Sequence, residues 1–455
     1  MVDFTKMHGK RAFGPEKQEA NPPTFRRRRY HQEDWEVLER QMANAISVED
    51  LSEDQSRVFD AVLTWYDAHQ AGAGLLTLGG YAGTGKSTLT AIIAKAIVER
   101  YTTPKETIHI AFCAYTGKAA NVLRQKLTTA GIEADGMGYP HYAGTIHSLI
   151  YSPITGNTGE VVDWRRKTDL EYDLIIVDEA SMVDAQVLAD LESYRIPILA
   201  VGDHGQLPPV QGEGSLLEDP MLRLDHIHRQ AAGNPIISLS KHIRDHGDLP
   251  ENWINTPNVQ FIRFNDMQSI LEPLYTAEKP EDIAILTYTN RCRQSMNYQG
   301  RSMRHRRDMR GEAPVAGDQV VCLRNTRGTL FNGMRGTLEA NPEPLGPWYH
   351  GRFFFPDDEL EVEGDFLKAQ IGREKTFNAF EDVERQTGIH LFSWPKIGML
   401  FDYGYAITVH KSQGSQFKHV FLIYERPGRV TQDDFRRWLY TAVTRAQKHV
   451  YIVIG

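Results

Sequence analysis

The chain has 455 residues, of which 41% are hydrophobic and 24% charged, the make-up of an ordinary folded protein; at roughly 150 residues per domain it should hold about three. Its net charge of −8 excludes a protein that binds nucleic acid by overall basicity, while leaving room for a local basic groove. Cys113, Cys292 and Cys322 are too few and too scattered for a disulfide framework or a zinc site. No apolar run approaches the roughly 20 residues that span a bilayer, so a cytoplasmic protein with reduced thiols is the expectation.

Residues 1–46 read as an N-terminal arm. Pro22 and Pro23 precede Phe25 and the run Arg26, Arg27, Arg28, Arg29, and Trp35, Leu38, Met42 and Ile46 follow at helical spacing. The arginines suit either a solvated arm or a phosphate contact. Residues 47–230 then alternate short apolar runs with helical patterns. Leu75–Leu78, Ile108–Cys113, Leu174–Val177 and Ile196–Val201 predict strands, and Leu89, Ile92, Ile93, Ala96 and Ile97 predict a helix with one buried face. Such alternation predicts an α/β unit, a parallel sheet flanked by helices. Within it, residues 150–172 carry turn residues Gly156, Asn157 and Gly159 between extended pieces, the pattern of a β-hairpin. A second α/β unit covers 231–314 and 401–455, with strands at Ile283–Leu286, Val420–Ile423 and Val450–Ile454. Residues 315–400, rich in Gly, Pro and aromatics, interrupt it as a small β-rich insertion.

The segment Leu75-Leu-Thr-Leu-Gly-Gly-Tyr-Ala-Gly-Thr-Gly-Lys-Ser-Thr88 carries the strongest chemical signal. Gly80, four residues, then Gly85, Lys86 and Ser87 form a phosphate-binding loop between a strand and a helix. Gly80, Ala82, Gly83, Thr84 and Gly85 can turn backbone N–H groups toward one anion, and the helix adds its positive end. Lys86 should reach the β- and γ-phosphates, and Ser87, followed by Thr88, should ligate Mg²⁺. Leu174-Ile-Ile-Val-Asp-Glu179 is the natural second half. A buried strand delivers Asp178, suited to contact Mg²⁺ through water, and Glu179, suited to polarise the attacking water. Together they predict an ATPase without naming what it moves.

Further motifs, in order, do that. Leu51-Ser-Glu-Asp-Gln55 precedes the loop, and Ala114-Tyr-Thr-Gly-Lys-Ala-Ala120 and Ala143-Gly-Thr-Ile-His-Ser-Leu149 follow it. Gly202-Asp-His-Gly-Gln-Leu-Pro-Pro-Val210, His228-Arg-Gln230, Tyr405-Ala-Ile-Thr-Val-His-Lys-Ser-Gln-Gly-Ser-Gln-Phe417 and Leu439-Tyr-Thr-Ala-Val-Thr-Arg-Ala446 complete the set. From about Leu51 to the C-terminus the chain resembles superfamily 1B helicases, the RecD-like branch, most of all its Dda-like phage members.

The resemblance implies two RecA-like P-loop cores, a hairpin pin and an SH3-like insertion. It implies an ATP-dependent DNA helicase, moving 5′-to-3′ on single-stranded DNA and opening forks in replication, recombination or repair. Gln55 would read adenine. Gln206 would sense the γ-phosphate, Arg229 would approach it, and Arg445 would act as an arginine finger from the second core. Gly414 and Gln416 would border the nucleotide. Thr116, Lys118, Thr145, His147, Ser148, Thr408, His410 and Lys411 would hold DNA phosphates, which position a strand without reading its sequence. Taken singly, each threonine suits a helix cap better than a DNA contact. Trp164, or Tyr151, would stack on the last base pair. Trp348, Tyr349, Phe353 and Phe354 suit either a DNA-facing surface or the insertion's own core. Phe331-Asn-Gly-Met-Arg-Gly336 resembles the turn before the family's insertion. Partners implied are single-stranded and fork DNA, with single-strand-binding or replisome proteins beside them and a monomeric motor. An RNA track and an ATP-gated binding module are the rival readings. No nuclease carboxylate cluster stands outside the motor motifs.

Overall fold

Leu75–Gly80 buries its last five residues, as a strand inside a parallel sheet must. In the computed structural model, which describes residues 20, 23–27, 48–70, 72–134, 141–155, 161–209, 216–226, 233–326, 330–356, 359–389 and 394–455, that sheet has six strands. Their order is Tyr142–Thr145, Ile110–Ala114, Leu174–Asp178, Ile198–Gly202, Leu75–Gly80 and Leu222–Leu224, and every pairing is parallel. Alternation along the strands sends side chains to two faces. Phe112, Ile176, Leu199 and Val201 pack with Val62 and Tyr66 of helix Glu53–His69 and with Leu89, Ile93 and Ile97 of helix Lys86–Tyr101. Their neighbours Cys113, Ile175, Val177 and Ala200 pack on the opposite face with Val187 and Leu191. The sheet is thus covered on both sides.

The second core repeats the plan with five parallel strands, in the order Val259–Arg263, Ala446–Ile454, Phe417–Ile423, Ile283–Thr287 and Ala406–Thr408. Leu286, Leu422 and Ile452 face Leu239 and Ile243 of helix Pro235–His246 and Phe435, Trp438 and Leu439 of helix Gln432–Val443. Ile285, Phe421 and Val453 face Met267, Leu271 and Met296 on the other side. Leu207, from the first core, is buried in the second core's cluster, with Tyr81 packed against it.

The β-rich insertion is an antiparallel sheet built around Phe353, Phe355, Phe366 and Phe401. Trp348 and Phe353 are fully buried, and the Trp348 indole donates to the Ile397 carbonyl at 2.7 Å, so both serve the core. Tyr349 and Phe354 are half-buried. The sheet extends beyond residue 400, because Phe401–Tyr403 pairs with Gln319–Cys322. It also recruits the N-terminal region. Thr24–Arg27 runs antiparallel to Leu360–Leu367 as an edge strand, and Phe25 packs against the insertion's core. That stretch is therefore no free arm. A methyl group at Gly364 would lie 2.8 Å from Pro23, and one at Gly398 would lie 2.8 Å from Ala20, so these glycines make room for it. A buried ion pair, Arg301 with Asp318 at 2.9 Å, fixes the insertion to the second core, with the Tyr405 hydroxyl donating to the same carboxylate at 2.8 Å. Tyr151–Thr155 and Val161–Arg166 pair antiparallel as an isolated hairpin. No helix among the described residues is long and apolar enough to cross a membrane.

Candidate nucleotide and nucleic-acid site

The phosphate loop is shaped by its glycines. Gly83 and Gly85 adopt φ of 84° and 77°, which residues with a Cβ rarely reach. A methyl group at Gly80 would meet the Thr84 hydroxyl oxygen at 2.7 Å. Thr84 is buried and its hydroxyl donates to the Tyr81 carbonyl at 2.9 Å. Lys86 opens the helix, and its ammonium lies over the loop, donating to the carbonyls of Gly80 (2.6 Å) and Tyr81 (2.9 Å). Ser87 stands beside it half-buried, and Thr88 is exposed. Upstream, Ser52 and Gln55 form a reciprocal capping box at the head of their helix. The Gln55 amide also donates to the Thr84 carbonyl at 3.3 Å. The resemblance assigns Gln55 to adenine, and its amide lies against the backbone of the phosphate loop.

Asp178 ends the strand Leu174–Asp178 and accepts the Glu179 N–H at 2.9 Å. Glu179 itself sits at φ 52°, ψ 40°, a left-handed conformation that costs a non-glycine residue about 1–3 kcal/mol. Burial, with Asp178 and Asp203 nearby, pushes its carboxyl above the usual carboxylate range, while Arg445 and then Lys86 pull it back. One carboxylate therefore feels a cation from each core. Arg445 is 3% exposed and is oriented by donation to the carbonyls of Thr441 (3.1 Å) and Ser415 (3.3 Å). Arg229 lies outside the described residues.

Gln206 is buried at the seam between the cores, and its side-chain oxygen finds no partner among the described residues. The loop that carries it is gripped by helix Gln432–Val443 at one face. Arg437 donates to the carbonyl of His204 at 3.2 Å, and the Thr441 hydroxyl accepts the Leu207 N–H at 2.9 Å. Between them, Tyr440 accepts the Ala82 N–H and donates to the Asp203 carboxylate, both at 2.9 Å. The Tyr81 ring lies 4.2 Å from that of His204 and carries the Arg244 guanidinium at 4.0 Å. Sequence reading missed Tyr440, Asp203, Tyr81 and Arg244. The first three lie inside quoted motifs, but nothing local marks them as seam residues.

The residues assigned to DNA phosphates gather at the carboxyl ends of neighbouring strands. Thr116 and Thr145 are both helix caps, accepting the N–H of Ala119 at 3.2 Å and of Ser148 at 3.1 Å, and the Thr145 and Ser148 hydroxyls share a hydrogen bond of 2.8 Å. His147 is exposed, its ring between those of Tyr115 and Tyr151. Lys118 lies on helix Gly117–Thr129, with its side chain outside the described residues. In the second core, Thr408 ends a strand and leads into the short helix Val409–Ser412. Burial lowers the basicity of His410 and Lys411. The two sets meet: a methyl group at Gly414 would come within 2.8 Å of the Thr116 hydroxyl oxygen. Gly414 thus stands against the first core's DNA-assigned loop, and exposed Gln416 accepts from the Gln447 amide at 3.2 Å. Their assignment to the nucleotide rests on the resemblance alone. Phe331 packs over Gly117, where a methyl group would meet its ring at 2.9 Å. On the hairpin, Trp164 is 47% exposed, whereas the Tyr151 hydroxyl is committed to Asp190.

A phosphate loop on one parallel sheet, beside a carboxylate that feels a buried arginine of a second sheet, defines a P-loop NTPase with two RecA-like cores. Comparison with known proteins agrees. Residues 50–262 match an AAA domain family and residues 403–453 a UvrD-like helicase C-terminal domain. An ATP-dependent RecD2 DNA helicase of Deinococcus radiodurans is 29% identical over 422 residues, 88% of this chain and 48% of that protein. A RecBCD enzyme subunit RecD of Mycolicibacterium smegmatis is 27% identical over 442 residues, 88% of this chain and 72% of that one. A solved Pif1 helicase from Bacteroides, in complex with ADP-AlF3 and ssDNA, aligns with 17% identity and a TM-score of 0.48 over 89% of this chain and 92% of that one. The chain spans about half the length of the Deinococcus relative. Along most of its length the chain is thus similar to RecD-like helicases of superfamily 1B.

Proposed function

We propose that the chain is an ATP-dependent DNA helicase that moves 5′-to-3′ along single-stranded DNA and separates duplex at forks, in replication, recombination or repair. The observation that carries this reading is that the Glu179 carboxylate feels the charge of Lys86 from one core and of Arg445 from the other. A site that draws a cation from each core is complete only when the cores are together. ATP would therefore stabilise the closed cleft, and hydrolysis would remove that preference. Glu179 takes the proton of the attacking water. Lys86 and Arg445 neutralise charge on the transferred phosphoryl group, and Gln206 responds to its loss. Ser87 and Asp178 are suited to hold Mg²⁺, which binds through few protein oxygens and supplies charge neutralisation at the phosphates. Across the cores, Thr116 with Lys118, Thr145, His147 and Ser148 hold one stretch of strand, and Thr408, His410 and Lys411 the next. Alternate grip through opening and closing becomes a step. Trp164 on the hairpin stacks at the fork. The Deinococcus relative's name, an ATP-dependent DNA helicase, supports the reading.

The test is unwinding of two duplexes, one with only a 5′ tail and one with only a 3′ tail, alongside ATPase stimulation by single-stranded DNA and RNA. ATP-dependent opening of the 5′-tailed duplex and stimulation by DNA are expected. Opening of only the 3′-tailed duplex reverses the polarity, stronger stimulation by RNA changes the track, and no stimulation by either rejects the motor.

A further inference from the structure

Three consecutive contacts of helix Gln432–Val443 reach the loop Asp203–Leu207, at Arg437, Tyr440 and Thr441. Spacings of three and four residues place all three on one helix face. Tyr440 differs from the other two because it reaches a second element as well. Its hydroxyl is the shared point between the Ala82 N–H of the phosphate loop and Asp203 Oδ2. That same carboxylate oxygen lies 3.5 Å from the Gln206 amide, while Asp203 Oδ1 accepts the Gly205 N–H at 2.9 Å. Both Asp203 (1% exposed) and Tyr440 (2% exposed) are buried. In such surroundings a partner lost is costly and a partner held fixes geometry. The same helix leads directly to Arg445, whose guanidinium is anchored on Thr441, the residue after Tyr440.

We propose that Tyr440 is a positioning residue that registers three pieces at once: the phosphate loop, the Gln206 loop and the helix that delivers Arg445. Its phenol ties Asp203 to the second core. The Gln206 amide and Arg445 therefore arrive at the nucleotide together. Burial and the adjacent Asp203 keep the phenol protonated, so it remains a donor to that carboxylate. The inference rests on the motor reading above but concerns a residue that reading does not use.

The experiment is steady-state ATPase with saturating single-stranded DNA, for wild type, Tyr440→Phe, Asp203→Asn and the double variant. Tyr440→Phe deletes only the hydroxyl and keeps the packed ring. The expected kcat falls about tenfold or more, the scale of one hydrogen bond to a charged group, while KM for ATP stays within about threefold. Asp203→Asn lowers kcat similarly. The double variant is no worse than the poorer single, because both cut one link. An unchanged kcat in either folded variant, a rise in KM alone, or losses that simply multiply would overturn the proposal. Should Tyr440→Phe melt near the assay temperature, Asp203→Asn tests the link from the other side. A wild type whose ATPase ignores DNA would instead sink the motor reading itself.

Discussion

Gln413 donates its side-chain amide to the Leu207 carbonyl at 2.8 Å, joining two loops 206 residues apart in sequence. Gln413 follows the helix that carries His410 and Lys411, and Leu207 follows Gln206. The DNA-assigned and nucleotide-assigned sides of the molecule are thus one hydrogen bond apart, through buried groups.

Trp164 tests the proposed strand-separating role of the hairpin. Trp164→Ala should lower duplex unwinding by about tenfold, as expected for the loss of a stacking contact of roughly 1–3 kcal/mol. ATPase stimulated by single-stranded DNA should change little. Parallel measurement of the two rates decides, and an equal fall in both removes the hairpin from the fork.

As the proposed general base, Glu179 should give the hydrolysis rate an acid limb. Its carboxyl is held above the ordinary 4.5, chiefly by burial, and only the deprotonated form can take a proton from water. As pH falls through that raised value, kcat should fall, and its midpoint should lie above the usual carboxylate range. A pH–rate profile of kcat reads this directly. A midpoint at or below 4.5 would count against Glu179 as the base.

Lys411 is expected to contribute one phosphate contact. Lys411→Ala should weaken single-stranded DNA binding equally for all sequences and reduce the slope of log affinity against log salt by about 0.7. Burial, then the nearby Arg293, lowers its basicity. Its charge is therefore lost as pH rises through a value below 10.5. Alkaline pH should weaken DNA binding by the wild type before ordinary lysines titrate, and the variant should lack that component. Fluorescence anisotropy across salt and pH measures both.

Arg301 and Asp318 are each fully buried. Arg301→Ala leaves a carboxylate buried with its main cation gone, at a cost of roughly 3–5 kcal/mol. The melting transition of the second core and insertion should fall by several degrees, with the first core less affected. Domain-resolved calorimetry or hydrogen exchange checks this.

The sequence announced elements whose signal is local. Leu75–Gly80 and helix Lys86–Tyr101 were legible because a buried apolar strand, glycines and a lysine stand within one window. Tyr142–Thr145, with its small and polar residues, read as a motif and not as a strand. Thr24–Arg27 read as part of an arm because its pairing partner begins at Leu360, more than 330 residues away. Tyr440 was hidden for the same reason, its partners lying 358 and 237 residues off. Thr116 and Thr145 show the converse: a capping reading was open from the residues alone, and the capping bonds are formed.

Arg445→Ala is the most direct test of a site shared by two cores. The arginine belongs to the second core, yet it is the largest favourable influence on the first core's Glu179 carboxylate. Nucleotide affinity and single-turnover hydrolysis should be measured on the same preparation. The expected result is ATP binding within a few-fold of wild type and a hydrolysis rate lowered by about 10³ to 10⁵. Hydrolysis within about threefold of wild type would show that the first core works alone, and would contradict the account.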